Sequence, residues 1–329
     1  MNRRRAIQLF FFLAALGALG WLLGKIGWAH VGQAVLRVGF GGAAILAALG
    51  LGETALDSLG LAVAIGHPHA WRVLLINSLG ALLNQILPFD LGEVAKGGLL
   101  HRNFPGRATI AGTIVWNYVF KISRPLVTLL AAAIGLCGSS LVRPAVGRAI
   151  LAGALLSFVP YILLRLLMRR GAAVLTARVL GALRILGDRR ERFLEAAREV
   201  DETALGFWHR RRSAFLAILV LQIGARIASW LSLFATLRLI DFPVTFSEGA
   251  LIYAAMNTAE LVITIIPARL GVAEGAAFGI FALCGLPAES GVIMYVILRL
   301  KSLATTGALA PFALLRAAPE PDVAPSAGS

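Results

Sequence analysis

The sequence predicts an all-α protein, a polytopic membrane helix bundle with two re-entrant helical hairpins in an inverted repeat. Hydrophobic residues make up 58% of the 329 residues and charged residues only 15%, whereas soluble domains carry about 25% charged residues. Mean hydropathy is +0.81, and apolar runs near the ~20 residues needed to span a bilayer recur along the chain. One phrase occurs twice, as ILPFDLGEVAKGGLL at 86–100 and IIPARLGVAEGAAFG at 265–279.

The repeated phrase interrupts an apolar stretch at matching points of the two halves. One constant shift along the chain, hereafter the repeat offset, carries Pro88 onto Pro267 and Gly92 onto Gly271. Proline removes a helix donor, and glycine loosens the next turn. Broken backbone persists in a membrane only where protein or a watery cavity satisfies it. Interrupted segments at corresponding positions point to a transporter-type site near mid-membrane, so we expect these four residues to form structural turns.

The predicted elements follow from the apolar runs and the basic residues between them. The run 6–24 follows Arg3–Arg5 and is interpreted as an uncleaved first helix with a cytoplasmic N-terminus. The loop 169–213 holds the densest basic cluster, which indicates a cytoplasmic position. The tail 317–329 is rich in Pro, Ala and Ser and is expected to be disordered. The remaining runs are 40–65, 73–89, 109–136, 149–168, 214–237, 250–266, 270–286 and 292–315.

The number of membrane crossings between the basic loops indicates that two of these segments do not cross the membrane. If 73–89 crossed fully, the basic loop 169–213 would lie outside, against the positive-inside bias. If 73–100 instead enters the membrane and turns back to the same side, the loop 169–213 falls in the cytoplasm as the bias requires. The segment 93–108 is then also cytoplasmic. The hairpin 250–286 repeats this logic from the opposite face. The predicted repeat is therefore helix, re-entrant hairpin, helix, with inverted topology.

The domain organisation is predicted to be one integral membrane domain over 1–316. Its repeat halves are about 40–136 and 214–315, joined by the cytoplasmic loop. Both termini are expected in the cytoplasm, and the expected location is the bacterial inner membrane. Apolar residues at helical spacing within 171–200 predict an amphipathic helix. The sequence leaves open whether it lies on the membrane surface or is an ordinary connector.

The composition excludes several other classes of site. The net charge of +14 comes mostly from basic residues between apolar runs, which favours contact with anionic lipid over nucleic acid. Neither a Walker-type loop nor metal-ligand spacing is present, so we expect no cofactor and no bound nucleotide as an energy source. Cys137 and Cys284 are expected to be free and buried rather than joined in a disulfide.

Ionisable residues within the apolar segments are the candidate functional residues, because charge inside a membrane is costly. A carboxylate follows each turn, Glu93 in the first half and Glu274 in the second. The predicted function is a polar cavity whose basic residues hold a lipid phosphate, for which the planar fork of Arg is suited. The alternative, that acids and bases only neutralise each other, stays open for Glu53, Asp57 and Arg226.

No catalytic residue is assigned, and the substrate-binding set is drawn from the hairpins and the helices that follow them. Asp90 and Arg269 occupy equivalent turn positions with opposite charge and would pair if the two turns met. The predicted substrate-binding residues are Asp90, Glu93, Lys96, Lys121, Arg124, Arg269, Glu274, Arg299 and Lys301.

The two phrases resemble the signatures of a known family. LPFDLGEVAKGGLL resembles the LP-x-R-x-GE-x-x-R-x-x-L signature of the lysylphosphatidylglycerol synthase transmembrane region, often called flippase-like. IPARLGVAEGAAFGIFALCGLP, with ILRL at 297–300, resembles its second signature, P-x-x-x-G-x-x-E with a later Arg. The resemblance covers 40–315 and departs at Asp90 and Arg269. It implies a polytopic bundle that moves or handles phospholipid or polyprenyl lipids. The matching residues are Pro88, Gly92, Glu93, Lys96, Pro267, Gly271, Glu274 and Arg299.

The leading hypothesis is therefore a transporter-like protein that translocates or binds an anionic phospholipid or polyprenyl phosphate. Its expected partners are membrane lipids, with a homo-oligomer or a separate soluble synthase left open. One alternative is a membrane-embedded transferase, with Glu93 or Glu274 as general base and Arg124 or Arg299 on the phosphate. Another is a regulatory membrane subunit. No aminoacyl-transferase domain follows in this sequence, so we do not expect the chain alone to synthesise lysyl-lipid.

Overall fold

The computed structural model describes residues 28–86, 91–138, 144–159, 190–263 and 271–316, with isolated positions at 24, 162, 163, 166, 171 and 174. Regular structure in these ranges is α-helical, and no strand occurs in them. The helices are α1 (Trp28–Ile65), α2 (Ala70–Ile86), α3 (Leu91–Asn103), α4 (Arg107–Gly138), α5 (Pro144–Leu156), α6 (Arg190–Arg210), α7 (Arg212–Leu239), α8 (Phe246–Ile263), α9 (Val272–Leu283) and α10 (Ala288–Arg316).

Four helices in the described part are long and apolar enough to cross a membrane. They are Gly32–Ile65 within α1, Arg107–Gly138, Arg212–Leu239 and Ala288–Ala313 within α10. The shortest has 26 residues, which exceeds the ~20 needed to span the hydrocarbon core. The predicted all-α membrane bundle is confirmed, and the protein is a multi-pass membrane protein.

The order of long helix, two short helices and long helix occurs twice. The repeat offset brings the bounds of α2, α3 and α4 to within three residues of those of α8, α9 and α10. The helix bounds thus follow the same shift as the repeated phrase. That α2–α3 and α8–α9 turn back inside the membrane, with opposite topology, stays a prediction.

Glycine allows the two short helices of the first half to pack closely. A Cβ atom added to Gly92 would lie 2.6 Å from the backbone nitrogen of Asn84, and one added to Gly80 would lie 2.8 Å from Lys96 Cβ. Either side chain would force α2 and α3 apart. In the second half, Gly271 precedes α9 with a φ of 75°, a conformation that glycine adopts without strain.

Two hydrophobic clusters form the core. One joins α4, α5, α7, α8, α9 and α10 and includes Leu251 and Phe281. The other joins α1, α2, α3, α4, α6 and α7 and includes Leu61 and Trp116. Because α4 and α7 contribute to both clusters, they connect the two halves.

Some predicted features fall at the edges of the described structure. The segments 6–24, apart from Gly24, and 317–329 lie outside the described residues, as do most of the apolar positions in 171–189. The end of the predicted amphipathic segment belongs to α6, whose Phe207 is buried. Both cysteines are free, as expected, but Cys137 is exposed and Cys284 is buried.

Candidate functional site

A polar cavity lies between the long helices and has two chambers. The α3 chamber, of about 280 Å³, is bordered by residues of α1, α2, α3, α4, α7 and α10. The α8 chamber, of about 250 Å³, is bordered by α1, α2, α4, α7, α8 and α10. The two chambers adjoin each other, since they share six lining residues. These are Glu53, Asn84, Arg124, Arg226, Lys301 and Ser302.

In the first half, the ion pair of the short helices is formed within α3. Glu93 lies in the first turn of α3, where the helix dipole favours a carboxylate. Its Oε2 is 2.6 Å from Lys96 Nζ, one helical turn further on. Asn84 of α2 donates a hydrogen bond to Glu93 Oε1 at 3.0 Å. Lys96 is only 1% exposed, whereas Glu93 is 32% exposed, so the acid is the more accessible member of this pair, and both side chains line the α3 chamber.

The buried Lys96 ammonium has partners on further helices. It donates a hydrogen bond to Asn77 Oδ1 at 3.3 Å and lies 3.9 Å from the centroid of the Trp116 ring. The amide of Asn77 in turn donates to Asp57 Oδ2 at 2.9 Å and to Ser58 Oγ at 3.0 Å. A cation over an indole face is attracted by the ring quadrupole. These contacts offset the cost of burying Lys96.

In the second half, the ion pair joins two helices instead of lying within one. Glu274 lies in the first turn of α9, and Arg299 of α10 donates a short hydrogen bond to its Oε1. Here the acid is 1% exposed and the base is 21% exposed. Arg299 lines the α8 chamber, whereas Glu274 is not among the lining residues. This pair therefore presents its cation to the cavity.

Three further ion pairs connect the first half of the chain to the second. Glu53 of α1 accepts a hydrogen bond from Lys301 of α10 at 3.0 Å, and the same ammonium lies 3.2 Å from Ser232 Oγ. Pairing also joins α1 to α7 and α4 to α8. The N···O distances are 3.8 Å for Asp57–Arg226 and 3.0 Å for Arg124–Glu260.

The cavity is close to electroneutral as a result. Within the described residues, each of the five cations that line it has a carboxylate within 4.0 Å. The buried acceptors that have no hydrogen-bond partner among the described residues include Asn84 Oδ1 and Gln85 Oε1. Both side chains line the α8 chamber. The cavity is thus bordered by paired charges and by side chains with buried acceptors that no described residue satisfies.

The structure brings together most of the described residues that the sequence predicts for the site. The α3 chamber is lined by Glu93, Lys96, Arg124 and Lys301, and the α8 chamber by Arg124, Arg299 and Lys301. Glu274 lies behind Arg299.

One described residue of the predicted set lies away from the cavity, and two others fall outside the described residues. Lys121 is exposed and lines neither chamber. Asp90 and Arg269 lie outside the described residues, as do the predicted turn residues Pro88 and Pro267. The pairing of Asp90 with Arg269 stays a prediction.

Sequence reasoning missed several residues of the cavity. Glu53 and Asp57 are four apart on one face of α1, but the sequence left their role open. Asn77 and Trp116 were not predicted because an amide within an apolar helix and an aromatic residue are both common in cores. No partner for Glu260 was predicted either.

Comparison with known proteins gives one match. A family model described as "Lysylphosphatidylglycerol synthase TM region" matches residues 6–310, which is most of the chain. Neither a curated protein nor a solved structure matches the sequence. The family model is the one that the two repeated signatures resemble.

Proposed function

The chain belongs to the lysylphosphatidylglycerol synthase TM-region family, and from this premise we propose that it is a flippase-like lipid transporter. Membership indicates a membrane protein linked to lipid handling. The finer proposal is that the polar cavity binds the headgroup of an anionic phospholipid or a polyprenyl phosphate. The lipid then passes between the two leaflets of the bacterial inner membrane.

The observation that supports this proposal is the open space of the polar cavity, which the charged side chains border. Charges inside a membrane are costly and are kept where they pair or function. A purely structural cluster of ion pairs would be packed together as densely as the rest of a protein interior. Here the charged side chains border two adjoining chambers of about 280 and 250 Å³. The chambers have room for a polar group that the ion pairs surround.

The chemistry of arginine explains how a paired cation can still bind a phosphate. A guanidinium has five N–H donors in a planar fork, and Glu274 accepts from one nitrogen of Arg299. The carboxylate fixes the orientation of the fork, and donors remain for a phosphate oxygen. Arginine–phosphate contacts are frequently bidentate, which adds geometric specificity. We therefore assign Arg299, with Arg124 and Lys301, to the lipid phosphate.

Reconstitution tests this function directly. The purified chain is placed in phosphatidylglycerol liposomes that contain a trace of headgroup-labelled fluorescent phosphatidylglycerol, and dithionite bleaches the outer leaflet. We expect faster loss of the inner-leaflet signal than in protein-free liposomes. Equal rates with and without protein would contradict transport, and a chemically altered lipid in the mass spectrum would favour a transferase.

A comparison of two variants tests whether this transport depends on the cavity. Glu274→Gln/Arg299→Gln removes both charges together and so leaves no unpaired buried charge. The expected result is slower transport with the protein still folded, because charge-assisted contacts contribute about 1.5–3 kcal/mol. Lys121→Gln, which neutralises a cation outside the cavity, is the matched control. Equal rates in both variants would exclude Arg299 from headgroup binding.

Topology is tested by labelling from one side. In a Cys137→Ser background, single cysteines at positions in 93–108 and in 171–200 are exposed to a membrane-impermeant reagent in spheroplasts. Both loops are proposed to be cytoplasmic, so neither should react until the membrane is opened. Labelling of one loop but not the other would mean that α2 crosses the membrane fully.

A further inference from the structure

An apolar groove, hereafter the α1/α10 groove, runs between two of the long helices. Its volume is about 210 Å³. The side chains of Val38, Leu46 and Ile297 form its buried floor. Val35 and Leu300 lie at its rim and are 40% and 48% exposed. α1 and α10 both contain a segment long and apolar enough to cross a membrane, so the groove runs along membrane-spanning helices.

The groove meets the polar cavity at a close contact between the helices. A Cβ atom added to Gly50 of α1 would lie 2.8 Å from Thr305 Cγ2 and 3.4 Å from Lys301 Cδ of α10. Thr305 lines the groove and the α3 chamber, and Gly50 lines the α3 chamber. The α1/α10 contact at Gly50 therefore separates apolar space from polar space.

Lys301 connects the two spaces. It lines the groove and both chambers, while its ammonium is bound to Glu53 and Ser232. A lysine of this kind keeps its aliphatic stem along apolar surface and its charged end in a polar environment. The boundary between groove and cavity is thus formed by a side chain that has the same two-part chemistry as a lipid.

We propose that the α1/α10 groove holds one hydrocarbon chain of the lipid whose headgroup occupies the polar cavity. The inference rests on the proposed function and adds the place of the chain and the side from which the lipid enters. The occupant is an acyl or prenyl chain, because the groove is lined almost wholly by apolar side chains and adjoins the headgroup space at Lys301 and Thr305. The Lys301–Glu53 pair is then the gate that the headgroup passes.

Helix packing in a bilayer gives a reason for keeping such a groove. Lipid tails are as apolar as leucine, so no hydrophobic force closes a gap between two helices, and close packing depends on small residues. α1 and α10 use Gly50 to touch at one end of the groove. Along the rest of it, Gly39, at a non-helical position with a φ of 60°, adds no side chain to fill the space.

Photo-crosslinking tests the inference with the full chain. The protein is reconstituted in phosphatidylglycerol vesicles with a trace of phosphatidylglycerol that carries a diazirine near the end of one acyl chain. After illumination, labelled peptides are mapped by mass spectrometry. We expect labelling of 35–47 and 297–305 to exceed that of the lipid-facing side of α7 around Val220, which is 67% exposed. Equal labelling of the three would overturn the proposal.

Groove-filling variants give the matched comparison. Ala43→Phe or Ala304→Phe places a ring in the groove, whereas Ala44→Phe puts the same ring on the exposed surface beside it. We expect groove labelling to fall about fivefold or more in the first two variants, because the ring leaves no room for a chain, and to be unchanged in the third. An equal fall in all three variants would overturn the proposal.

Binding of the hydrocarbon chain in the groove can be disproved independently of headgroup binding in the cavity. Binding of glycerol 3-phosphate, which has a headgroup and no hydrocarbon chain, is measured for wild type and the Ala304→Phe variant. Equal binding with unselective photolabelling would overturn the groove and retain the cavity. No binding by either protein would contradict the proposed function itself. A disulfide between Ala43→Cys and a cysteine placed in 6–24 would show that the chain's own N-terminal segment fills the groove, and would also overturn the inference.

Discussion

The two halves form the same kind of ion pair in opposite orientations. In the first half, Glu93 is the more exposed member of the pair and Lys96 is buried, whereas in the second half Arg299 is the more exposed member and Glu274 is buried. In both halves the acid occupies the first turn of a short helix. The difference lies in the source of the cation, which comes from the same helix in one half and from the next helix in the other. An internal repeat can thus keep its helices while the charge of the more exposed member is reversed.

The largest expected effect comes from removing the more exposed member of each pair. Arg299→Ala leaves the Glu274 carboxylate buried without its cation, which typically costs about 3–5 kcal/mol. Glu93→Ala strands Lys96, but Asn77 and Trp116 still contact its ammonium. We therefore expect both variants to unfold at lower temperature in detergent, with the larger drop for Arg299→Ala. Equal drops would mean that the remaining contacts of Lys96 contribute nothing.

A charge reversal in the first half should make it resemble the second. Glu93→Lys/Lys96→Glu would bury the acid and turn the cation towards the α3 chamber. Loss of the dipole interaction and of the cation–ring contact should cost about 1–3 kcal/mol of folding free energy. Retention of phosphatidylglycerol should rise relative to phosphatidylcholine, as measured by native mass spectrometry. Unchanged retention would show that Glu93 does not face the bound headgroup.

A smaller effect is expected from the aromatic residue that contacts Lys96. Trp116→Phe removes the hydrogen bond to the Asp57 carbonyl oxygen at 3.1 Å and weakens the contact with the ammonium. The expected loss is about 1–2 kcal/mol, measured as the midpoint of thermal unfolding. Tyr295→Phe is the control, because the repeat offset carries Trp116 onto Tyr295 and no cation–ring contact is described for that tyrosine. A larger loss of stability in Tyr295→Phe than in Trp116→Phe would contradict the proposed role of Trp116.

The smallest effect is expected at Lys121, which the sequence placed in the substrate site and the structure places at the surface. Lys121→Gln should not lower stability, because it replaces a charge on the exposed side of a membrane-spanning helix, where charge is costly. Phosphatidylglycerol retention should also be unchanged. A clear fall in phosphatidylglycerol retention would mean that Lys121 contributes to lipid binding after all.

The helices could be predicted from the sequence because their signals are local. Apolar runs at 109–136 and 292–315 correspond to α4 and α10, and the repeat offset transfers the bounds of the short helices as well. The partners of the charged residues could not be predicted in the same way. Glu53 and Lys301 are 248 residues apart, so only the packing of α1 on α10 determines that they meet.

The sequence suggested equivalent roles for the two carboxylates after the turns. The local pattern predicted their positions but not their burial. Both acids do lie in the first turn of a short helix. Their burial differs because Lys96 is present in α3, whereas the repeat offset places Gly275 at the corresponding position of α9. Without a lysine in α9, the counter-charge for Glu274 comes from α10. That substitution is visible in the sequence, but its consequence depends on which helix lies nearest.

The electroneutral pairing in the cavity determines how the membrane potential acts on the protein. Moving one elementary charge across 100 mV changes the free energy by about 2.3 kcal/mol. When ion pairs move as intact units, the empty protein displaces little net charge and its rearrangement is nearly independent of voltage. In the proposed function, an anionic headgroup in the cavity adds a net negative charge, so the loaded protein would respond to the field more strongly than the empty one. An inside-negative potential would then favour outward movement of the headgroup.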